Sequence, residues 1–120
     1  MMRVLIFIVL MMSMPVYAEN YLQKDMPLLK VKDIVIRHGW KPLVTQHEYV
    51  AEGEDGFPYS EIERKLILGG FVEVSSCSLG KELCNFYYRK NGKCILLETE
   101  GEVVNEMKLF YWARVKCPGS

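Results

Sequence analysis

The fold of this protein is decided by residues 71–93, which read FVEVSSCSLGKELCNFYYRKNGK. Two short runs within this stretch, 71–77 and 84–90, have the β-branched and aromatic content that is typical of strands. The second run ends at Asn91-Gly92, a dipeptide that fits a type I′ turn because both central positions of that turn need positive φ. The stretch therefore predicts two antiparallel strands and a hairpin that leads into a third strand at 93–99.

The elements around this stretch predict an α+β fold. A fourth strand is expected at 108–116, and Trp40–Val44 should be extended. Apolar residues at helical spacing predict a helix over Leu28–His38, which begins after Pro27 and stops at Gly39. Ser60 and Glu63 form a capping box for a second, short helix that ends at Gly69-Gly70, with Tyr59, Ile62 and Leu66 on its inward face. We expect two short helices packed on one face of a four-stranded antiparallel meander.

The first eighteen of the 120 residues differ in character from the rest. Arg3 precedes an apolar run, Pro15 follows it, and Val16-Tyr17-Ala18 fits a cleavage site, so residues 1–18 are expected to be a signal peptide cut after Ala18. An uncleaved anchor is the alternative, but the run is shorter than the ~20 residues of a spanning helix. We expect a loose leader at 19–27, a single domain at 28–117, and no stable membrane insertion after cleavage.

The charge balance excludes some classes of partner. Only Arg3 is lost with the signal peptide, so fourteen basic and fifteen acidic residues remain of the fifteen of each sign in the whole chain. A near-neutral chain gives no electrostatic reason to expect nucleic acid or an anionic membrane surface as a partner.

All four cysteines lie in the expected mature part, at positions 77, 84, 94 and 117. An even number in a short exported chain indicates two disulfides and an oxidising compartment, either the periplasm or the exterior. Four cysteines allow three pairings. In a meander, the facing strand ends favour Cys77–Cys84 and Cys94–Cys117.

These pairings predict a register and so assign the two faces of the sheet. Tyr88 should lie opposite Ile95, and Phe86 opposite both Leu97 and Ser75. On the last strand, Leu97 should face Arg114 and Thr99 should face Trp112. One face then carries Val72, Val74, Tyr87, Leu96, Tyr111, Ala113 and Val115. The other carries Phe86, Tyr88, Ile95, Leu97, Phe110 and Trp112, together with Glu73, Ser75, Arg114 and Lys116.

Three arrangements of these faces are open. The helices could cover the aliphatic face and leave the aromatic one in solvent, where it would form a protein-binding patch. Alternatively, residues 40–57 could cover the aromatic face, or the helices themselves could cover it.

No constellation of residues predicts an enzyme. His38 belongs to the first helix, and His47 lies in a loop without a recognisable nucleophile. The sequence has no Cys-x-x-Cys redox motif and no zinc-ligand spacing. The acidic loop Glu52–Gly56 matches a calcium loop poorly. We therefore expect no catalytic residues, no metal and no cofactor.

The pattern GWKP at 39–42, GFVEV at 70–74 leading to Cys77, and CNFYY at 84–88 resembles small exported proteobacterial proteins of uncharacterised function. The order of two helices and four strands is also similar to the repeat unit of the β-lactamase inhibitory protein and related outer-membrane assembly lipoproteins. The chain departs from the lipoproteins in having no lipidation cysteine. This resemblance implies a scaffold that can present a sheet face to another protein.

The leading hypothesis is a secreted or periplasmic protein-binding module: an inhibitor, an immunity protein or an accessory subunit of an envelope complex. Its expected binding residues are Phe86, Tyr88, Phe110, Trp112 and Arg114. The alternatives are a small-ligand carrier, in which Trp40 and residues 40–57 form a lid over the sheet, and a hydrolase built on His38 or His47. The sequence does not identify the partner or ligand.

Overall fold

A computed structural model describes residues 19–45, 60–78 and 80–119. Helix α1 spans Leu28–Arg37 and α2 spans Glu61–Leu68. The strands are β1 (Lys41–Pro42), β2 (Val74–Cys77), β3 (Leu83–Lys90), β4 (Lys93–Glu100) and β5 (Lys108–Val115), and a 3₁₀ turn at Val104–Glu106 precedes β5. The predicted α+β class is confirmed. The expected signal peptide, His47, the acidic loop and Tyr59 lie outside the described residues.

The sheet is antiparallel, with β3, β4 and β5 as a meander. The outer edge of β3 is shared by two short strands. Strand β2 pairs with Cys84–Phe86, and β1 pairs with Tyr88 and Arg89. The segment after Trp40, expected only to be extended, therefore contributes a fifth strand. Neither described helix is long and apolar enough to cross a membrane.

The hairpin and the disulfides are as predicted. Lys90 lies opposite Lys93, and both residues between them have positive φ, 50° at Asn91 and 78° at Gly92. Disulfides join Cys77 to Cys84 and Cys94 to Cys117. All four thiols are thus oxidised, which suits an oxidising compartment.

The register of β3 with β4 is also as predicted, with Tyr88 opposite Ile95 and Phe86 opposite Leu97. The predictions for the outer pairs are wrong for two reasons: a bulge, where two residues oppose one, interrupts the β2–β3 pair, and Cys94 does not lie directly opposite its disulfide partner Cys117. One irregularity, between Val74 and Ser76, places Val74 rather than Ser75 opposite Phe86. On the other side, Cys94 faces Val115, so its disulfide reaches past the end of β5 to Cys117. Leu97 therefore faces Trp112, and a bulge after Glu98 then places Thr99 opposite Leu109.

Both helices cover the aromatic face of the sheet, the third of the three possible arrangements. Phe86, Tyr88, Ile95 and Leu97 are each no more than 1% exposed, and they form the core with residues of both helices. The expectation of a solvent-facing aromatic surface is therefore wrong.

Each helix presents a stripe of apolar residues to this core. In α1 the buried residues are Leu28, Val31 and Val35, at the spacing of one helical face. His38 is not in that stripe; it is the exposed C-cap, one residue after the helix ends. In α2 the predicted capping box is present, with Leu66 buried and Ile62 packed against the core.

Residues 19–27 are bound to the domain, so the prediction of a loose leader is wrong. Leu22 is 3% exposed within the core. The Asp25 N–H donates to the Leu109 carbonyl at 2.7 Å, and the Leu109 N–H donates to the Met26 carbonyl at 2.8 Å. These bonds attach the segment to the start of β5.

Candidate functional site

The five predicted binding residues do not share one surface. Phe86 and Tyr88 are buried, and Trp112 packs partly buried against the core. Phe110 is 39% exposed at the β5 bulge, between the pairs made by Leu109 and Tyr111. Arg114 is on the aromatic side but near its edge, and its guanidinium is tied to Glu19. No single contact could engage all five.

Tyr88 is held inside by a buried polar cluster. Its hydroxyl donates to the carboxylate of Glu73, which is fully buried, and the Lys32 ammonium lies 3.3 Å from the same carboxylate. Lys32 also donates to the Gly70 carbonyl at 2.9 Å and lies over the Phe71 ring. Burial, with the neighbouring Glu73 charge and hydrogen bond, raises the pKa of Tyr88 well above its usual value. This cluster joins α1, the residue that precedes β2, and β3. The Tyr88 hydroxyl and the Glu73 carboxylate are each other's hydrogen-bond partners.

A second buried carboxylate joins α2 to the sheet. Glu63 completes the capping box by accepting from the Ser60 N–H, and its other oxygen accepts from the Cys77 N–H at 2.7 Å. The side chain that starts α2 thus also fixes the end of β2, beside the Cys77–Cys84 disulfide. The capping box was visible in the sequence, but this second role depends on tertiary contact.

The face of the sheet that the helices leave uncovered is here called the open face. It consists of three rows that run across β3, β4 and β5. The rows are Asn85–Glu98–Tyr111, Tyr87–Leu96–Ala113 and Arg89–Cys94–Val115. Apart from Cys94, which is fully buried, none of these nine residues belongs to the hydrophobic core or is packed against it. Tyr111 is 49% exposed, whereas Tyr87 and Leu96 are half-buried.

The middle of the open face is apolar and its borders are charged. Tyr87, Leu96 and Ala113 lie side by side, with Tyr111 and Val115 in the flanking rows. Arg89 and Glu98 supply one charge of each sign. An apolar centre with a polar border is the usual anatomy of a protein-binding surface.

The His38 side chain contacts two neighbouring residues. The His38 ring stacks on Tyr21 with centroids 3.6 Å apart, and its Nδ1 lies 3.0 Å from the Ile34 carbonyl. Among residues 19–45, 60–78 and 80–119, no three or more histidine, cysteine, aspartate or glutamate side chains are placed to hold a metal ion.

No family model, curated protein or solved structure matches the chain.

Proposed function

We propose that this protein is an exported protein-binding module, acting in the periplasm or outside the cell as an inhibitor, immunity protein or envelope-complex subunit. The observation that carries the proposal is the open face, where Tyr87, Leu96 and Tyr111 stand on three adjacent strands with no core contact. Aromatic residues at the centre of a patch are the commonest source of binding energy between proteins. The partner is expected to be another exported protein with an apolar surface.

The rigidity of the scaffold supports this role. The open face belongs to a sheet that two disulfides cross-link: Cys77–Cys84 joins β2 to β3, and Cys94–Cys117 joins β4 to the segment after β5. The opposite face of this sheet is packed against the core. Side chains on such a sheet are preorganised, so little conformational entropy is lost when a partner binds. An exported chain with a cleaved signal peptide and paired cysteines would also reach partners in the envelope.

The binding residues of this proposal differ from those expected from the sequence. Phe86 and Tyr88 are excluded because a partner could not reach them without unfolding the core. Tyr87, Leu96 and Tyr111 replace them.

The test is a cross-linked capture from periplasmic extract with the wild-type protein and a Tyr87→Ser/Tyr111→Ser variant. The matched control is Leu29→Ser/Leu68→Ser, which removes two apolar side chains that are 66% and 77% exposed on the helices. A captured protein is then purified, and its Kd is measured for all three forms.

We expect the Kd to rise at least tenfold in the tyrosine variant, since central aromatic residues are each worth about 1–2 kcal/mol or more. The helix variant should bind within about twofold of wild type. Equal binding by the folded tyrosine variant, or equal loss in both variants, would refute the open face as the binding surface.

A further inference from the structure

Positive charge is concentrated at one end of the sheet, although the whole chain has fifteen basic and fifteen acidic residues. Lys41 lies directly opposite Arg89, and Lys90 lies directly opposite Lys93. Like charges at such positions repel each other and weaken a sheet. At the other end of the sheet, Glu61, Glu82 and Glu102 line a separate groove. Both like-charged pairs thus lie at the end of the sheet opposite this acidic groove, where their repulsion costs some stability.

Trp40 is one of the residues that line a groove at the basic end of the sheet. The groove has a volume of about 230 Å³ and is lined by Trp40, Lys90, Asn91, Lys93 and Arg114. The Trp40 side chain is fixed by a hydrogen bond, in which its indole N–H donates to the Tyr21 hydroxyl at 3.0 Å. The Lys90 ammonium and the Arg114 guanidinium each lie 5.5 Å from the centre of the Trp40 ring. The ring thus holds two cations at the wall of one groove.

The charges in this groove are only partly compensated. Glu19 pairs with Arg114 at 2.8 Å, which accounts for one positive charge. Lys90 donates to the His38 carbonyl at 2.7 Å, a neutral acceptor that uses one of its three N–H groups. Among the described residues, no carboxylate lies within ion-pair distance of Lys90 or Lys93. Within the part of the chain that the structure describes, the ammonium groups of Lys90 and Lys93 are therefore left without an anionic partner.

From this balance we infer that the groove binds a phosphate group, carried by a soluble phosphate compound or by a lipid headgroup. A phosphate monoester bears about 1.5 to 2 negative charges at neutral pH, which matches the two uncompensated lysines, whereas a carboxylate bears one. Its several acceptor oxygens also suit the remaining N–H donors of Lys90, Lys93 and Arg114. This inference concerns the end of the sheet and does not depend on the open face.

The test uses the protein expressed with its own residues 1–18 as the export signal and purified from the periplasm of the expression host. Inorganic pyrophosphate and phosphate are titrated while the indole N–H signals of the two tryptophans are followed by NMR. Vesicles of phosphatidic acid, whose headgroup is a phosphate monoester, mixed with phosphatidylcholine are compared with phosphatidylcholine alone to test the lipid source by co-sedimentation. Lys90→Gln/Lys93→Gln removes the two charges, and Lys81→Gln/Lys108→Gln makes the same change in net charge elsewhere.

We expect saturable binding to at least one phosphate probe, with a larger shift at Trp40 than at Trp112 when the probe is soluble. Affinity should fall at least tenfold in Lys90→Gln/Lys93→Gln and by less than twofold in the control pair. Binding to pyrophosphate identifies a soluble source, and binding to anionic vesicles identifies a headgroup. The inference would be overturned by an absence of binding to the soluble phosphates and to the anionic vesicles alike, or by an equal loss of affinity in both variants. An equal response to acetate at matched ionic strength would also overturn it.

Discussion

The buried carboxylate of Glu73 explains, at the scale of single residues, why Tyr88 points into the domain. The phenol hydroxyl needs a partner in the core, and Glu73 accepts its hydrogen bond while Lys32 compensates the charge. A buried carboxylate without such partners would be strongly destabilising. The three residues come from distant parts of the chain, so their association could not be seen in the sequence, where Glu73 looks like a solvent-facing residue.

Tyr88→Phe should change how stability depends on pH. Burial beside Glu73 raises the folded-state pKa of Tyr88 above its unfolded value near 10, so the folded state holds this proton where the unfolded chain releases it. The stability from this group is therefore fully present below about pH 10 and is lost as the pH rises above it, by about 1.4 kcal/mol per pH unit. Denaturant unfolding between pH 8 and 11 should show a shallower decline in the variant.

The same variant should lose about 1–3 kcal/mol at pH 7, because Glu73 loses a hydrogen-bond donor in the core. Tyr111→Phe serves as the control, because it removes the hydroxyl group of a tyrosine that is 49% exposed. An identical pH slope in wild type and Tyr88→Phe would show that Tyr88 is not buried against Glu73.

At the scale of elements, local signals were readable and face assignment was not. The hairpin at Asn91-Gly92 and the capping box at Ser60 each depend on a few adjacent residues, and both formed as predicted. The faces could not be assigned because each carries aromatic and aliphatic residues, as Tyr87 and Tyr88 illustrate. A bulge then shifted the β2–β3 register, and the Cys94–Cys117 disulfide joined residues that are not directly opposed in the β4–β5 pair; no sequence pattern marked either feature.

Glu63→Ala should destabilise the junction between α2 and β2. The substitution removes the acceptor for the Ser60 and Cys77 N–H groups, leaving the latter unsatisfied in a partly buried position. We expect a loss of about 1–3 kcal/mol in the free energy of unfolding, measured by urea denaturation. Glu61→Ala is the control in the same helical turn, where only an exposed ion pair with Lys65 at 3.7 Å is lost. It should cost less than about 0.5 kcal/mol, and equal losses would contradict the bridging role of Glu63.

At the scale of the whole molecule, the architecture separates three surfaces. The helices fill the aromatic face with the core, the open face is left for contact, and the basic groove lies at the end where β3 turns into β4. The balanced composition concealed the third surface, because a total charge does not show that Lys41, Arg89, Lys90 and Lys93 lie at one end of the sheet. The first two surfaces depend on which way the sheet faces the helices, a property of the assembled fold.

The central claim is that the open face contacts another protein, and site-specific photo-crosslinking in the living cell tests it most directly. Tyr87, Leu96 and Tyr111 are replaced one at a time by p-benzoylphenylalanine, with Leu29 and Leu68 on the helices as control positions. We expect one discrete adduct, of the same mass from all three open-face positions and absent from both helix positions. Adducts from the helix positions alone, or none from the open face in correctly folded and exported protein, would contradict it.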